Sequence, residues 1–354
     1  AFARYIYAEA VYDHASLSNA NFSTDYFSYY NMGLGSKLTD GQASMSSSKN
    51  SSKLIGFFGR VSYGYADRYN ILASLRYEGS SKFGDNHKWG AFPSVSLGWN
   101  IMNESFMKST KSWLNNLKLR AGWGITGVIP GSSYLSLLRY SYNGGNYYRD
   151  GKWNKGLKAA SNPNPDLKWE TAREFNVGID WSVFNDRLSG SLDYYNKKTS
   201  DMLYDYTVPS PPNLYTTTTA NVGEMRNTGF ELMIKGVPVQ TKNWRWETQA
   251  TLQHNSNKLL SLSNDLYQTD NTQWLQGVGD PVTQYTHRVA VGESLGQIWS
   301  LKAVGVSDQG LFLIENPKTG QCAEFYQEMR NDYDNWYEHM GRRIPKFAFG
   351  WHTT

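Results

Sequence analysis

The sequence predicts an all-β fold: a section of an antiparallel transmembrane β-barrel with long external loops. Three observations lead there. Apolar and polar residues alternate with period two in repeated segments of about 9–11 residues, the length of a tilted strand crossing a bilayer. Tyr and Trp gather at the ends of those segments. Long and short connections alternate along the chain, as they do between the two sides of an outer-membrane barrel.

The alternation can be followed strand by strand. Residues 2–12 form a first strand of less regular pattern, with Arg4 on its apolar side. In LIGFFGRVSYGY, Ile55, Phe57, Val61, Tyr63 and Tyr65 oppose Gly56, Arg60, Ser62 and Gly64, with Phe58 as the exception. YNILASLRYEG sets Ile71, Ala73, Leu75 and Tyr77 against Ser74, Arg76 and Glu78. FPSVSLGWN sets Val95, Leu97 and Trp99 against Ser94, Ser96 and Gly98. LKLRAGWG sets Leu117, Leu119, Ala121 and Trp123 against Lys118, Arg120, Gly122 and Gly124. In EFNVGIDW, Phe175, Val177, Ile179 and Trp181 oppose Asn176, Gly178 and Asp180. The next strands follow the same rule: Leu188, Leu192 and Tyr194 against Ser189, Ser191 and Asp193; then Phe230, Leu232 and Ile234 against Glu231 and Lys235. Trp246, Ala250 and Leu252 oppose Arg245, Glu247, Gln249, Thr251 and Gln253, and residues 344–352 begin a further strand.

A sheet resting on a protein core would alternate in the same way. The polar face argues for lipid and water instead. Arg60, Arg76, Glu78, Lys118, Arg120, Asp180, Asp193, Glu231, Lys235 and Glu247 cannot all enter a dry core without many partners, whereas a hydrated lumen accepts them. Trp181 and Leu192 are therefore expected to face lipid, and Asp180 and Asp193 the lumen. Tyr65, Tyr69, Tyr77, Trp99, Trp123 and Trp181 suit the headgroup level, where one end of a ring is dry and the other wet.

Residues 66–68, 184–187 and 237–243 are short connections, placed in the periplasm together with 102–114, which is expected to hold a short interfacial helix. The external loops are expected at about 13–53, 79–91, 126–173, 199–226 and 257–343. Residues 39–53 are polar and expected to be mobile. The stretch 209–219, PSPPNLYTTTT, is extended rather than helical.

Composition sets limits. The chain has 354 residues, 15% of them aromatic, with 25 Tyr and 13 Trp, yet its hydrophobic content is only 40% and its mean hydropathy is -0.59. Amphipathic rings and small polar residues outweigh aliphatic core. A net charge of +4, from 35 basic and 31 acidic residues, with no basic run longer than a pair, argues against nucleic acid. Cys322 is the single cysteine, which excludes an internal disulfide. No apolar stretch nears the roughly 20 residues of a spanning helix. The first residues, AFARYIYAEAVY, lack a signal-peptide pattern, as expected of a mature protein or an internal piece.

Site chemistry is sparse. His14, His87, His254, His287, His339 and His352 show no metal-ligand spacing, and no nucleophile or phosphate-binding motif falls in a strand–helix context. No metal, cofactor or catalytic residue is expected. Asp332, Asp334 and Glu338 offer hard oxygens to calcium, but without EF-hand register a solvated acidic loop is the preferred reading. Asp180, Asp193, Glu231 and Glu247 read as a hydrated wall rather than a glycosidase pair. The loop GGNYYRDGKW places Tyr147, Tyr148 and Trp153 among Arg149, Asp150 and Lys152. Rings with polar rims suit a sugar or a partner surface, so these three and Trp274 are the ligand-binding candidates. Tyr215 and Tyr285 follow.

NPDLKWETAREFNVGIDW followed by RLSGSLDYYNKKTSDML resembles the barrel of SusC/RagA-type TonB-linked outer-membrane transporters. LIGFFGRVSYGYADRYNILASLRYEGSSKFG, KWGAFPSVSLGWNI, LKLRAGWGITG, NVGEMRNTGFELMIKG, VGESLGQIWSLKAVGV and RRIPKFAFGW resemble it too, so the likeness covers most of residues 54–352. It implies that residues 1–354 are a partial barrel domain, about ten of the 22 strands of such a barrel. The family's TonB box, plug domain and terminal strands have no counterpart here. An open arc leaves edges that lipid does not tolerate, so the section alone is not expected to fold or transport. The resemblance implies import of an oligosaccharide or peptide across the bacterial outer membrane, driven by the TonB–ExbB–ExbD complex, with a SusD-type surface lipoprotein as lid. Two rivals remain: a soluble β-rich glycan-binding or glycan-cleaving protein, and a passive porin or adhesin barrel.

Overall fold

A computed structural model describes residues 1–142, 145–276 and 284–354. Ten strands form one antiparallel sheet in which each strand lies beside its neighbours in the chain. They are β1 (Phe2–Ser18), β2 (Ser44–Tyr65), β3 (Tyr69–Ser80), β4 (Trp89–Asn100), β5 (Leu114–Val128), β6 (Glu170–Val183), β7 (Leu188–Thr207), β8 (Thr217–Gln240), β9 (Arg245–Ser261) and β10 (Phe347–Thr353).

The register sorts the side chains as their periodicity predicts. One unbroken pairing row runs Tyr65, Tyr69, Trp99, Leu119, Ile179, Leu192, Leu232, Leu252, Phe349 across nine strands. Every member is apolar or amphipathic. The row starts at the turn end of β2 and crosses β8 at Leu232, well inside a strand that continues to Gln240. That stagger is the shear that tilts strands in a barrel. Among the described residues no second layer covers this face: Phe57, Leu75, Leu97, Phe175 and Leu192 remain 45–50% exposed. Buried apolar side chains gather instead in small clusters near strand ends, around Phe83, Phe92 and Trp169, around Met102, Leu114 and Val183, and around Tyr206, Ala220 and Val222. This arrangement counts against the soluble rival, which requires the Phe175 face to be covered.

The structure departs from the sequence-based expectations at several places. Arg4 does not lie on the apolar face. It pairs with Phe58, and Phe58 pairs with Arg76. The polar face therefore holds a ring between two guanidinium-bearing residues, and the apolar face of β1 carries Ala3, Tyr5 and Tyr7. The two irregularities noted in β1 and β2 are one contact. Residues 44–53, expected to be mobile, extend β2 and pair with Glu9–Ser18. Asp13–Lys49 and Glu9–Lys53 ion pairs lie across that ribbon at 3.7 and 3.5 Å. The segment expected to hold an interfacial helix forms two 3-10 turns, Ile101–Asn103 and Ser105–Thr110, not one helix. Glu104 between them is extended because its carboxylate is tied down, accepting from Tyr69 Oη at 2.6 Å, Trp99 Nε1 at 3.0 Å and Arg68 Nη1 at 3.0 Å.

The last long loop is not irregular. Thr272–Gln276, Tyr285–Ala290, Gln297–Val306, Phe312–Glu315, Cys322–Glu324 and Tyr337–Arg342 build a separate six-stranded sheet, here called the lobe. The short turn after β2 places Ala66 and Asp67 at φ 53° and 51°, the left-handed pair of a tight hairpin. Asn100 and Asn103 hold it by donating to Asp67 O at 2.8 Å each.

Candidate functional site

The polar face is built around Arg120. Its pairing neighbours on β4 and β6 are both glycine, Gly98 and Gly178. Nε and Nη2 donate to the two oxygens of Asp180 at 2.8 Å each, and Nη2 also lies 2.9 Å from Asp193 Oδ1 on β7. The fork thus joins three strands through charge-assisted bonds. Gly178 makes room for it, since a Cβ there would lie 2.2 Å from Asp193 Oδ1 and 2.8 Å from Arg120 Nη2. Farther along, Lys235 pairs with Glu247, which also binds Arg245 at 3.1 Å, and Ser74 and Ser94 share a hydrogen bond of 2.7 Å. The ten charged residues assigned to this face from sequence all fall on it in the observed register. Arg120 and Asp180 keep 37% and 30% of their side chains exposed, so the wall is wet rather than a dry core.

At the end of the sheet away from the short turns, one segment organises the rim. Asn162 donates to Tyr215 O and Thr217 O at 2.7 and 3.0 Å and accepts from Tyr215 N at 3.0 Å. Asn164 donates to Thr219 O at 2.8 Å. Asn221 Nδ2 reaches Lys168 O at 2.7 Å, and its Oδ1 accepts from Lys168 N at 2.8 Å. The loop after β3 is tied to the same segment: Gly84 N donates to Leu167 O at 2.9 Å and Asn86 N to Pro165 O at 3.1 Å. Gly84 cannot carry a side chain there, because a Cβ would meet Pro165 O at 2.0 Å. Two Asn-Pro pairs keep the strap extended, which leaves its backbone groups free for neighbours. Sequence reasoning recognised NPDLKWET as characteristic but missed this brace. The signal was the run of asparagines beside prolines.

The aromatic candidates do not converge. Tyr147, Tyr148 and Trp153 sit on a hairpin of Asn146–Arg149 with Lys152–Lys155, where Tyr148 pairs with Trp153 and Tyr147 with Asn154. The Tyr148 and Trp153 rings meet edge to face at 5.4 Å, and Trp153 is 72% exposed. Gly144, which opens that stretch, lies outside the described residues. Trp274 belongs to the lobe, stacked on Tyr333 at 4.6 Å and set edge-on to Tyr337 and Trp299 at 5.6 and 6.2 Å. Burial pushes the Tyr337 phenol up to about 12. Tyr285 approaches Tyr333 at 6.4 Å, and Tyr215 serves the strap through its backbone. Among the described residues no cluster of three or more metal-ligating side chains forms. Asp332 accepts from Asn335, and Glu338 lies 3.7 Å from Lys302.

The arrangement has known counterparts. The family model described as TonB dependent receptor-like, beta-barrel, matches residues 3–335. The chain belongs to the TonB-dependent receptor β-barrel family. It is 33% identical over 299 residues to TonB-dependent receptor P39 of Formosa agariphila, covering 83% of this chain and 26% of that protein. It is 34% identical over 235 residues to TonB-dependent receptor SusC of Bacteroides thetaiotaomicron, covering 65% of this chain and 23% of that protein. The structure of the RagAB peptide transporter superposes with a TM-score of 0.76 at 25% identity, over 99% of this chain and 36% of that one. The chain thus spans about a quarter of the curated relatives it matches. TonB-dependent receptor barrels cross the outer membrane with many strands, which assigns the two faces: the uncovered apolar face meets lipid, and the Arg120 face lines the lumen.

Proposed function

We propose that this barrel section belongs to an importer that carries large nutrients across the outer membrane. The observation that carries the reading is the lumen wall, a continuous charged and hydrated face on a fold shared with SusC and with the RagAB peptide transporter. The substrate is an oligosaccharide or a peptide, too large for passive pores. Energy comes from the inner-membrane proton gradient through the TonB–ExbB–ExbD complex, and a SusD-type surface lipoprotein closes the external mouth. Tyr147, Tyr148 and Trp153 on their exposed hairpin, with Trp274 in the lobe, contact substrate or that lid. The chain acts in transport and not in catalysis.

The test is uptake by cells carrying the full-length protein. Growth on the imported nutrient should depend on the gene, on TonB and on the proton gradient. Uptake that persists in a tonB deletion or with a protonophore would support a passive porin instead. Alanine at Tyr148 and Trp153 together should weaken substrate or lid binding without changing the amount of barrel in the membrane. Unchanged binding in that double variant would remove the hairpin from the site.

A further inference from the structure

The lipid-facing side of β6 to β9 ends in a row of cations. Along the strands, away from the short turns, the pairing rows on this side change character in order. The row of Ile179, Leu192, Leu232 and Leu252 is followed by Val177, Tyr194, Phe230 and His254, then by Phe175, Asn196, Thr228 and Ser256, and then by Arg173, Lys198, Arg226 and Lys258. Across β7 to β9 leucines give way to rings, rings to small polar groups, and these to basic residues. The adjacent row on the lumen side, Glu174, Lys197, Asn227 and Asn257, holds one acid, one base and two amides. The run of one sign belongs to the outer side alone.

Like charges directly opposite one another destabilise a strand pair. This row sets Arg173 opposite Lys198, Lys198 opposite Arg226, and Arg226 opposite Lys258. One acid relieves it: the Glu224 carboxylate lies 2.9 Å from Lys198 Nζ. Among the described residues Arg173, Arg226 and Lys258 form no ion pair, and all three are exposed. Their height suits a lipid headgroup. Val183, at the short-turn end of β6, and Arg173 lie ten positions apart. At about 3.3 Å per residue and a tilt of about 40°, that is a rise of about 25 Å, the height of the apolar band of an outer-membrane barrel. The cations therefore stand at the edge of that band.

We propose that the row of Arg173, Lys198, Arg226 and Lys258 docks the phosphate groups of a phosphorylated glycolipid in the outer leaflet of the membrane. The row continues the face that meets lipid, so its ligand arrives with the membrane and not from the lumen. Guanidinium and ammonium groups bind phosphate through charge-assisted hydrogen bonds, and an anion there offsets the three opposed like charges. Four cations over three strand spacings of about 4.8 Å span about 14 Å, which fits a headgroup of linked, phosphorylated sugars better than a single phosphodiester. Asn196, Thr228 and Ser256, one row nearer the membrane centre, offer amide and hydroxyl groups to such sugars. The proposal rests on the outer-membrane place of the family and is independent of the importer reading.

The experiment titrates purified full-length protein, in an uncharged detergent, with phosphorylated lipid A and with its dephosphorylated form, and reads the bound lipid by native mass spectrometry. The phosphorylated lipid should bind about tenfold tighter, each basic residue near a headgroup surface being worth several-fold in affinity. That comparison needs no variant. Arg226→Gln with Lys258→Gln should abolish the preference while the barrel keeps its compact mobility on a gel. Lys111→Gln with Lys242→Gln removes the same charge from exposed positions at the short-turn end and should leave the preference intact. Equal affinity for the two lipids, or a preference that survives in the Arg226 and Lys258 variant, would overturn the docking row and leave it to an acidic protein partner. Equally tight binding of phosphatidylglycerol, or displacement of lipid A by inorganic phosphate at the same concentration, would overturn the glycolipid assignment.

Discussion

A methyl group at position 178 would press on Asp193 and Arg120 together. Replacing Gly178 with Ala should therefore open the fork that joins β5, β6 and β7, at a cost of about 1–3 kcal/mol. The check is the temperature at which the folded full-length barrel loses its compact mobility on a gel, with no shift counting against the role. Glu104 gives a residue-scale prediction at the short-turn end of the sheet. Hydrogen bonds from Tyr69 and Trp99, with the Arg68 guanidinium, hold its carboxyl below the usual glutamate value. A depressed folded pKa means that its contribution is complete above the unfolded value and is lost as pH falls through the folded one. Hydrogen exchange of the 101–113 turn, corrected for intrinsic rates, should rise on acidification in the parent protein. Glu104→Gln should lack that added rise, and identical profiles would refute the assignment. Gly178 was readable as a gap in an alternating strand. What filled the gap was not, because a guanidinium two strands from Asp193 has no fixed spacing in sequence.

The element scale tests the two faces. Replacing Ile179 on β6 with Arg should impair insertion by about 2–4 kcal/mol near the bilayer midplane. On β9, Leu252→Arg should do the same while Gln253→Arg is tolerated, although the two positions are adjacent. Equal assembly of the latter pair in outer-membrane fractions would sink the face assignment. The strap makes a different demand. Asn221→Ala strips the partners from Lys168 N, Lys168 O and Asp201 O, a loss of about 1–3 kcal/mol for each buried group left unpaired. Trypsin should then cut after Lys168 faster than in the parent protein, and an unchanged rate would show that the strap is held by other contacts. Strand faces were legible because period two is local to each strand. Arg4 was misplaced because a strand of weak alternation takes its face from its neighbour: only the pairing with Phe58 puts it on the polar side.

For the whole molecule, the sorting of loops by length is what predicts the two membrane sides. It did not foresee the lobe. Its strands are as short as the three residues Cys322–Glu324, too brief for alternation to stand out, and they pair across intervening turns. The aromatic candidates show the same limit. Tyr148 and Trp153 meet because a hairpin brings them together, while Trp274 is drawn into a separate aromatic cluster of the lobe. By itself the sequence determined the ten spanning strands, their apolar and charged faces and the family, because each is written in local alternation and short motifs. Tertiary structure alone decided the tilt of the pairing rows, the Arg120 fork and the Asn162–Trp169 brace. Each of those joins groups far apart in the chain, and their distances depend on register and bulges that no local pattern encodes.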